Sequence, residues 1–81
     1  MIPFSEWIKI YNRSVEFNFR KIDCPQQEKY FITTLDSTRN NFSFEMVHSK
    51  EGEWNILQPA PVAIFQLKEQ LINIIKRHST D

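Results

Sequence analysis

The sequence has 81 residues and is poor in the residue types on which many binding motifs depend. It contains one glycine, Gly52, whereas the usual phosphate-binding loops and dinucleotide fingerprints each need several. It contains one cysteine, Cys24, so no disulfide can form within the chain, and neither histidine has the spacing of a zinc ligand relative to it. These absences exclude the commonest nucleotide sites and covalent crosslinks.

An excess of charge of one sign and long apolar runs are also missing. Ten Lys and Arg residues balance ten Asp and Glu residues, so no net field attracts nucleic acid, anionic membrane or an acidic substrate. The first residues include Glu6 and Lys9, unlike a secretion signal, and no run approaches the roughly 18 apolar residues of a membrane span. We expect no membrane association and, with one unpaired cysteine, a cytoplasmic location.

Apolar and polar residues alternate in four segments, a pattern typical of half-buried strands. The segments are residues 14–21, 29–35, 42–47 and 54–57. The connections between them are short, and Gly52 marks the tightest, so neighbouring strands are expected to be antiparallel. The sequence therefore predicts a four-stranded antiparallel meander.

Residues 3–12 fit either a strand or a helix. As a strand, they place the acidic Glu6 on the same face as Phe4 and Ile8. As a helix, they gather the large apolar residues, Trp7 among them, into one arc. We interpret this segment as a short helix that docks on the rest of the domain.

A longer amphipathic helix is predicted over residues 61–78, with a length of about 27 Å. It can cover one whole face of a four-stranded sheet. The predicted fold class is α+β, with a four-stranded antiparallel β-meander and a short N-terminal and a long C-terminal helix packed on one face. This α-β-β-β-β-α arrangement forms a single small domain over residues 1–81.

Two apolar residues of the long helix, Phe65 and Ile72, lie beside its main apolar stripe, with Lys68 between them. Burying an unpaired ammonium is costly, so these residues cannot all press against the sheet. In one interpretation, Phe65 and Ile72 contact the N-terminal helix and Lys68 extends between them to solvent. In the other, all three are exposed and contact a partner, with Lys68 pairing with one of its acids.

The sheet is also expected to have an outer face, turned away from the helices, that carries Val47 and Leu57. The second predicted strand is apolar on both sides, so it adds one of two pairs to that face, either Tyr30 and Ile32 or Phe31 and Leu35. An apolar patch of this kind is typical of an interaction site.

Few residues could support chemistry. Cys24 has no neighbouring base, and His48 has no visible hydrogen-bond partner. His78 is placed to satisfy the last carbonyls of its helix. Glu51 and Glu53 provide too few oxygen ligands for a calcium loop. We therefore predict no enzymatic activity, no cofactor and no metal site.

The predicted function is a non-catalytic protein-interaction module whose partner is another protein or a second copy, with a homodimer through the outer sheet face as one form. The alternative is a small-ligand or nucleic-acid binding domain that uses the gap between helices and sheet, with Lys68 and Trp54 as reporters. The strand aromatics are predicted to be buried and no basic stripe accompanies them, which argues against nucleic acid.

Overall fold

The computed structural model describes residues 3–35, 41–57 and 59–79 and shows a five-stranded antiparallel sheet with two helices. The elements are β1 Phe4–Ile10, β2 Arg13–Ile22, β3 Lys29–Leu35, β4 Asn41–His48, β5 Trp54–Leu57, α1 Val62–Gln66 and α2 Lys68–Ser79. Strand order follows chain order, and each strand pairs with the next. The prediction of an α+β protein with an antiparallel sheet is confirmed, but the number of strands and the helix arrangement differ.

The prediction of an N-terminal helix was wrong, because this segment forms β1, an edge strand paired with β2. In the strand register Trp7 alternates with Glu6 and Ile8 and so belongs to the opposite face, and 66% of its surface is exposed, so it does not join a buried arc. Glu6 lies on the helix side, where its Oε2 is 3.2 Å from Nε2 of His78. This partner makes an acid on the apolar side of the strand tolerable.

The predicted helix over residues 61–78 is interrupted, so that α1 and α2 are separate helices. Leu67 lies between them with φ −94° and ψ 6°, and its N–H donates to the Ile64 carbonyl at 3.0 Å, a tight 3₁₀-type bond. No pattern in the sequence marks this break. Neither of the two described helices is long and apolar enough to cross a membrane.

One side of the sheet, which we call the inner face, forms the core together with α1 and α2. Its buried apolar residues are Ile8, Val15, Phe17, Phe19, Tyr30, Ile32, Phe44, Met46, Trp54 and Ile56, and the helices add Ile64, Leu71, Ile74 and Ile75. Aromatic contacts link the strands, for example Phe17 edge-on to Phe44 at 6.5 Å between ring centroids. Because strand side chains alternate, the intervening residues lie on the opposite side, the outer face.

Candidate functional site

Neither described helix covers the outer face of the sheet, since both contribute their buried residues to the core on the inner face. Three large apolar residues on it are well exposed: Trp7 at 66%, Leu35 at 40% and Leu57 at 39%. They come from β1, β3 and β5, so they span the full width of the sheet. An open sheet face with large apolar residues is a candidate contact surface.

Charged residues alternate with these apolar residues and are partly paired. Glu16 lies between Trp7 and Leu35 in the strand register. The guanidinium carbon of Arg20 lies 5.5 Å from the centroid of the Phe31 ring, within cation–π range. Lys29 Nζ lies 3.0 Å from an oxygen of Glu45. The outer face is therefore mixed in sign, and much of its charge is already satisfied.

The register decides which pair of β3 residues joins the outer face. Tyr30 and Ile32 are fully buried on the inner face, so they cannot contribute to an outer contact surface. Phe31 and Leu35 lie on the outer face, Phe31 half-buried and Leu35 exposed. Val47 and Leu57 lie on the same outer face, through β4 and β5.

The three helix residues considered as a partner contact do not form one exposed patch. Phe65 is 36% exposed, whereas Ile72 is partly buried and packs against the core. Lys68 is half-buried, and its Nζ lies 3.5 Å from Oδ1 of Asn55, an amide rather than an acid. The first interpretation is wrong, because β1 replaces the helix that Phe65 and Ile72 were expected to contact. The second, a partner contact through all three residues, stays a prediction.

A polar corner of the core is formed by Tyr30, Trp54, His48 and Glu28. His48 Nδ1 lies 3.5 Å from Glu28, a partner that the sequence did not reveal, and its ring stacks on Trp54 at 4.7 Å. Burial raises the pKa of the Tyr30 hydroxyl, and the charge of Glu28 raises it further. Tyr30 therefore stays protonated at neutral pH and is no base. Because the His48 ring stacks on the buried Trp54, we interpret this corner as part of the packed core.

The other chemical candidates stay apart from one another. Cys24 is half-buried in the β2–β3 connection, and Glu51 and Glu53 are exposed beside the turn at Gly52. Among residues 3–35, 41–57 and 59–79, no three His, Cys, Asp or Glu side chains are grouped to hold a metal ion.

A cleft of about 420 Å³ opens between the β1–β2 hairpin, the ends of β3 and β4, and α1. We call it the hairpin cleft. Its apolar lining consists of Ile10, Val15, Phe42, Ala63 and Ile64. It is a gap between helix and sheet, but neither Lys68 nor Trp54 lines it, so the expected reporters of such a gap were misplaced.

Polar groups of the hairpin cleft lie at its rim and on its floor. Tyr11 and Arg13 line it from the hairpin, where Tyr11 and Asn12 have positive φ values of 50° and 66°, as in a two-residue type I′ turn. Thr34 is 2% exposed, and its hydroxyl donates to the Phe42 carbonyl at 3.3 Å. Sequence reasoning missed the turn because Tyr-Asn is not among the dipeptides that usually mark it.

These features define a small α+β meander domain with a sheet face that the described helices leave open and with an apolar cleft. No protein-family model, no curated protein and no solved structure matches the sequence.

Proposed function

We propose that this domain is a non-catalytic interaction module that forms a homodimer through the outer face of its sheet. The observation that carries the proposal is Trp7, which is 66% exposed on the same face as Leu35 and Leu57. Tryptophan is enriched at protein interfaces and among the residues that dominate binding energy, because it buries a large apolar area with few rotatable bonds. Two copies would bury these residues face to face, as in a β-sandwich.

The dimensions of the molecule support a contact of this kind. The protein measures 36 × 24 × 18 Å along its principal axes, so its broadest face is about 36 by 24 Å. A face of that extent is comparable with the ~800 Å² that each partner buries in a stable interface of standard size. Sheets that pack face to face keep a separation of about 10 Å, which side chains such as Trp7 and Phe31 can fill.

The charges of the outer face are compatible with a second copy. The formal net charge of the chain is zero, so two copies do not repel each other as a whole. Lys29 and Glu45 are paired with each other, and Arg20 lies over Phe31. In the described part of the chain Glu16 makes no ion pair, and in a two-fold arrangement a cation of the partner, such as Lys9, can approach it.

Self-association would also add to the net folding stability of a domain of this size. A core built from 81 residues supplies only about 3–5 kcal/mol of net stability without further support. The single cysteine excludes an intrachain disulfide, and burial of the outer face adds apolar contact area instead.

The test is the molar mass in solution, measured by light scattering over a range of protein concentrations. We expect a concentration-dependent rise from the 9.8 kDa monomer to twice that mass. Val47→Asp and Trp7→Ala should each shift this transition to at least about tenfold higher concentration. The first puts a charge into the proposed interface, and the second removes its largest apolar side chain. Val47 pairs with Lys29 across the strands, so an aspartate there has a cation beside it and should leave the fold intact.

Val62→Asp serves as the matched control, because it makes the same change at a valine that is 73% exposed in α1 rather than in the sheet. It should associate like the unmodified protein. A monomer at every concentration, or variants of Val47 and Trp7 that associate like the Val62 control, would remove the outer face as an interface.

A further inference from the structure

We propose that the hairpin cleft binds a small organic acid, with the apolar body of the ligand in the cleft and its carboxylate at Arg13. This site is separate from the proposed dimer interface, since its residues lie at the inner face and the β1–β2 turn. Its volume of about 420 Å³ far exceeds the ~30 Å³ share of one water molecule and falls within the ~300–1,000 Å³ typical of ligand pockets.

The walls of the cleft favour an apolar ligand body. Ile10, Val15 and Phe42 cover the sheet side, and Ile64 from α1 closes the opposite side. On the described floor, the Thr34 hydroxyl already donates its proton to the Phe42 carbonyl. The interior of the cleft therefore favours a hydrocarbon or aromatic group of a ligand and has few hydrogen-bonding partners for a strongly polar one.

The charge at the mouth of the cleft selects an acid. Among the lining residues that the structure describes, Arg13 is the only one charged at neutral pH, and it stands opposite Ile10 at the start of β2. Arg13 has an interaction of its own within the protein. A guanidinium carries five N–H donors, so it can keep that interaction and still bind a carboxylate with two parallel hydrogen bonds.

The backbone at Tyr11 is an independent sign that the mouth of the cleft is specialised. A tyrosine with φ 50° adopts a left-handed conformation that asparagine and glycine adopt at lower cost. Its side chain lines the cleft and is 81% exposed, so burial in the core does not explain its presence there. An aromatic ring beside Arg13 can cover the exposed side of a bound acid, and strained residues concentrate at ligand contacts.

The experiment is a titration of the ¹⁵N-labelled protein, followed by NMR, with 3-phenylpropionate and separately with its neutral amide, 3-phenylpropanamide. We expect saturable shifts of the backbone amides of Thr34, Ala63 and Ile64 with the acid. The amide should bind at the same site at least about tenfold more weakly, because it lacks the charge-assisted bond to Arg13. Arg13→Gln should weaken the acid to the level of the amide and leave the affinity for the amide unchanged.

Two further variants keep this test decisive. Ala63→Leu fills part of the cleft and should abolish binding of both probes even if Arg13→Gln fails to fold. Val47→Asp, on the outer face, should bind both probes like the unmodified protein, whether or not the chain dimerises. The proposal is overturned by the absence of saturable shifts at the cleft at millimolar concentrations, by equal affinities for acid and amide, or by shifts confined to the outer face.

Discussion

The two sides of β3 carry similarly apolar residues that differ in how deeply they are buried. On the inner face Tyr30 and Ile32 are fully buried, whereas on the outer face Phe31 is half-buried and Leu35 is 40% exposed. Ile32 lies between Phe19 of β2 and Phe44 of β4, while Phe31 lies between the charged residues Arg20 and Glu45. The composition of a strand therefore does not determine its buried side; the side chains of the neighbouring strands do.

The largest effect that separates the two faces is expected from matched truncations on β3. Ile32→Ala should lower the free energy of unfolding by about 2–5 kcal/mol, because it leaves a cavity in a closed core. Leu35→Ala should cost less than about 1 kcal/mol, because much of its side chain is already in water. Urea unfolding at one fixed, low protein concentration measures both. Equal losses would mean that Leu35 is covered in the folded protein, as a tightly bound second copy would cover it.

An intermediate effect is expected where β1 meets the last helix. His78 stacks on Phe4 with ring centroids 3.8 Å apart and lies within reach of Glu6. His78→Ala should reduce the free energy of unfolding by about 1–2 kcal/mol, since it removes an aromatic stack and a partly buried polar contact.

Glu6→Gln separates these two contributions. It keeps the volume and a hydrogen-bonding group but removes the charge, and both partners are about one-third exposed, so the loss should stay below about 1 kcal/mol. If His78→Ala and Glu6→Gln give the same loss in thermal or urea unfolding, the stack on Phe4 contributes nothing.

The smallest effect is expected at the turn that sets the register between β1 and β2, and hence the assignment of residues to faces. Tyr11→Asn should raise the free energy of unfolding by about 0.5–1 kcal/mol, because asparagine tolerates the positive φ at this position. Tyr11→Ala keeps the steric cost of a Cβ and should bring no gain. The midpoints of urea unfolding compare the two, and a gain in the alanine variant would show that the backbone conformation is not the cause.

The features predicted correctly from the sequence are those encoded over short distances. The alternation of Val15, Phe17 and Phe19 with polar residues indicated β2 and its buried side, and Gly52, with φ 89°, lies in the predicted tight turn. The error at β1 had a physical cause: a helix gathers Trp7 into an apolar arc whereas the strand exposes it, and the partner of Glu6 lies 72 residues away in the chain.

The features missed depend on how distant elements meet. The buried side of β3 follows from its neighbours, and the break at Leu67 has no local signature such as proline or glycine. The hairpin cleft arises because α1 approaches the β1–β2 turn without filling the space above Val15 and Thr34. Residue patterns report periodicity along the chain, but they contain no measure of the distance between a helix and a hairpin.

The meander order of the strands has a consequence for how the chain acquires its structure. Every strand pairs with its neighbour in sequence, so the sheet can grow by successive short hairpins, each of which forms in microseconds. The contact of His78 with Glu6 must wait for α2, which emerges from the ribosome after all five strands. Until then the apolar inner face has no cover, and the delay before α2 docks sets the time during which a nascent chain is prone to aggregate.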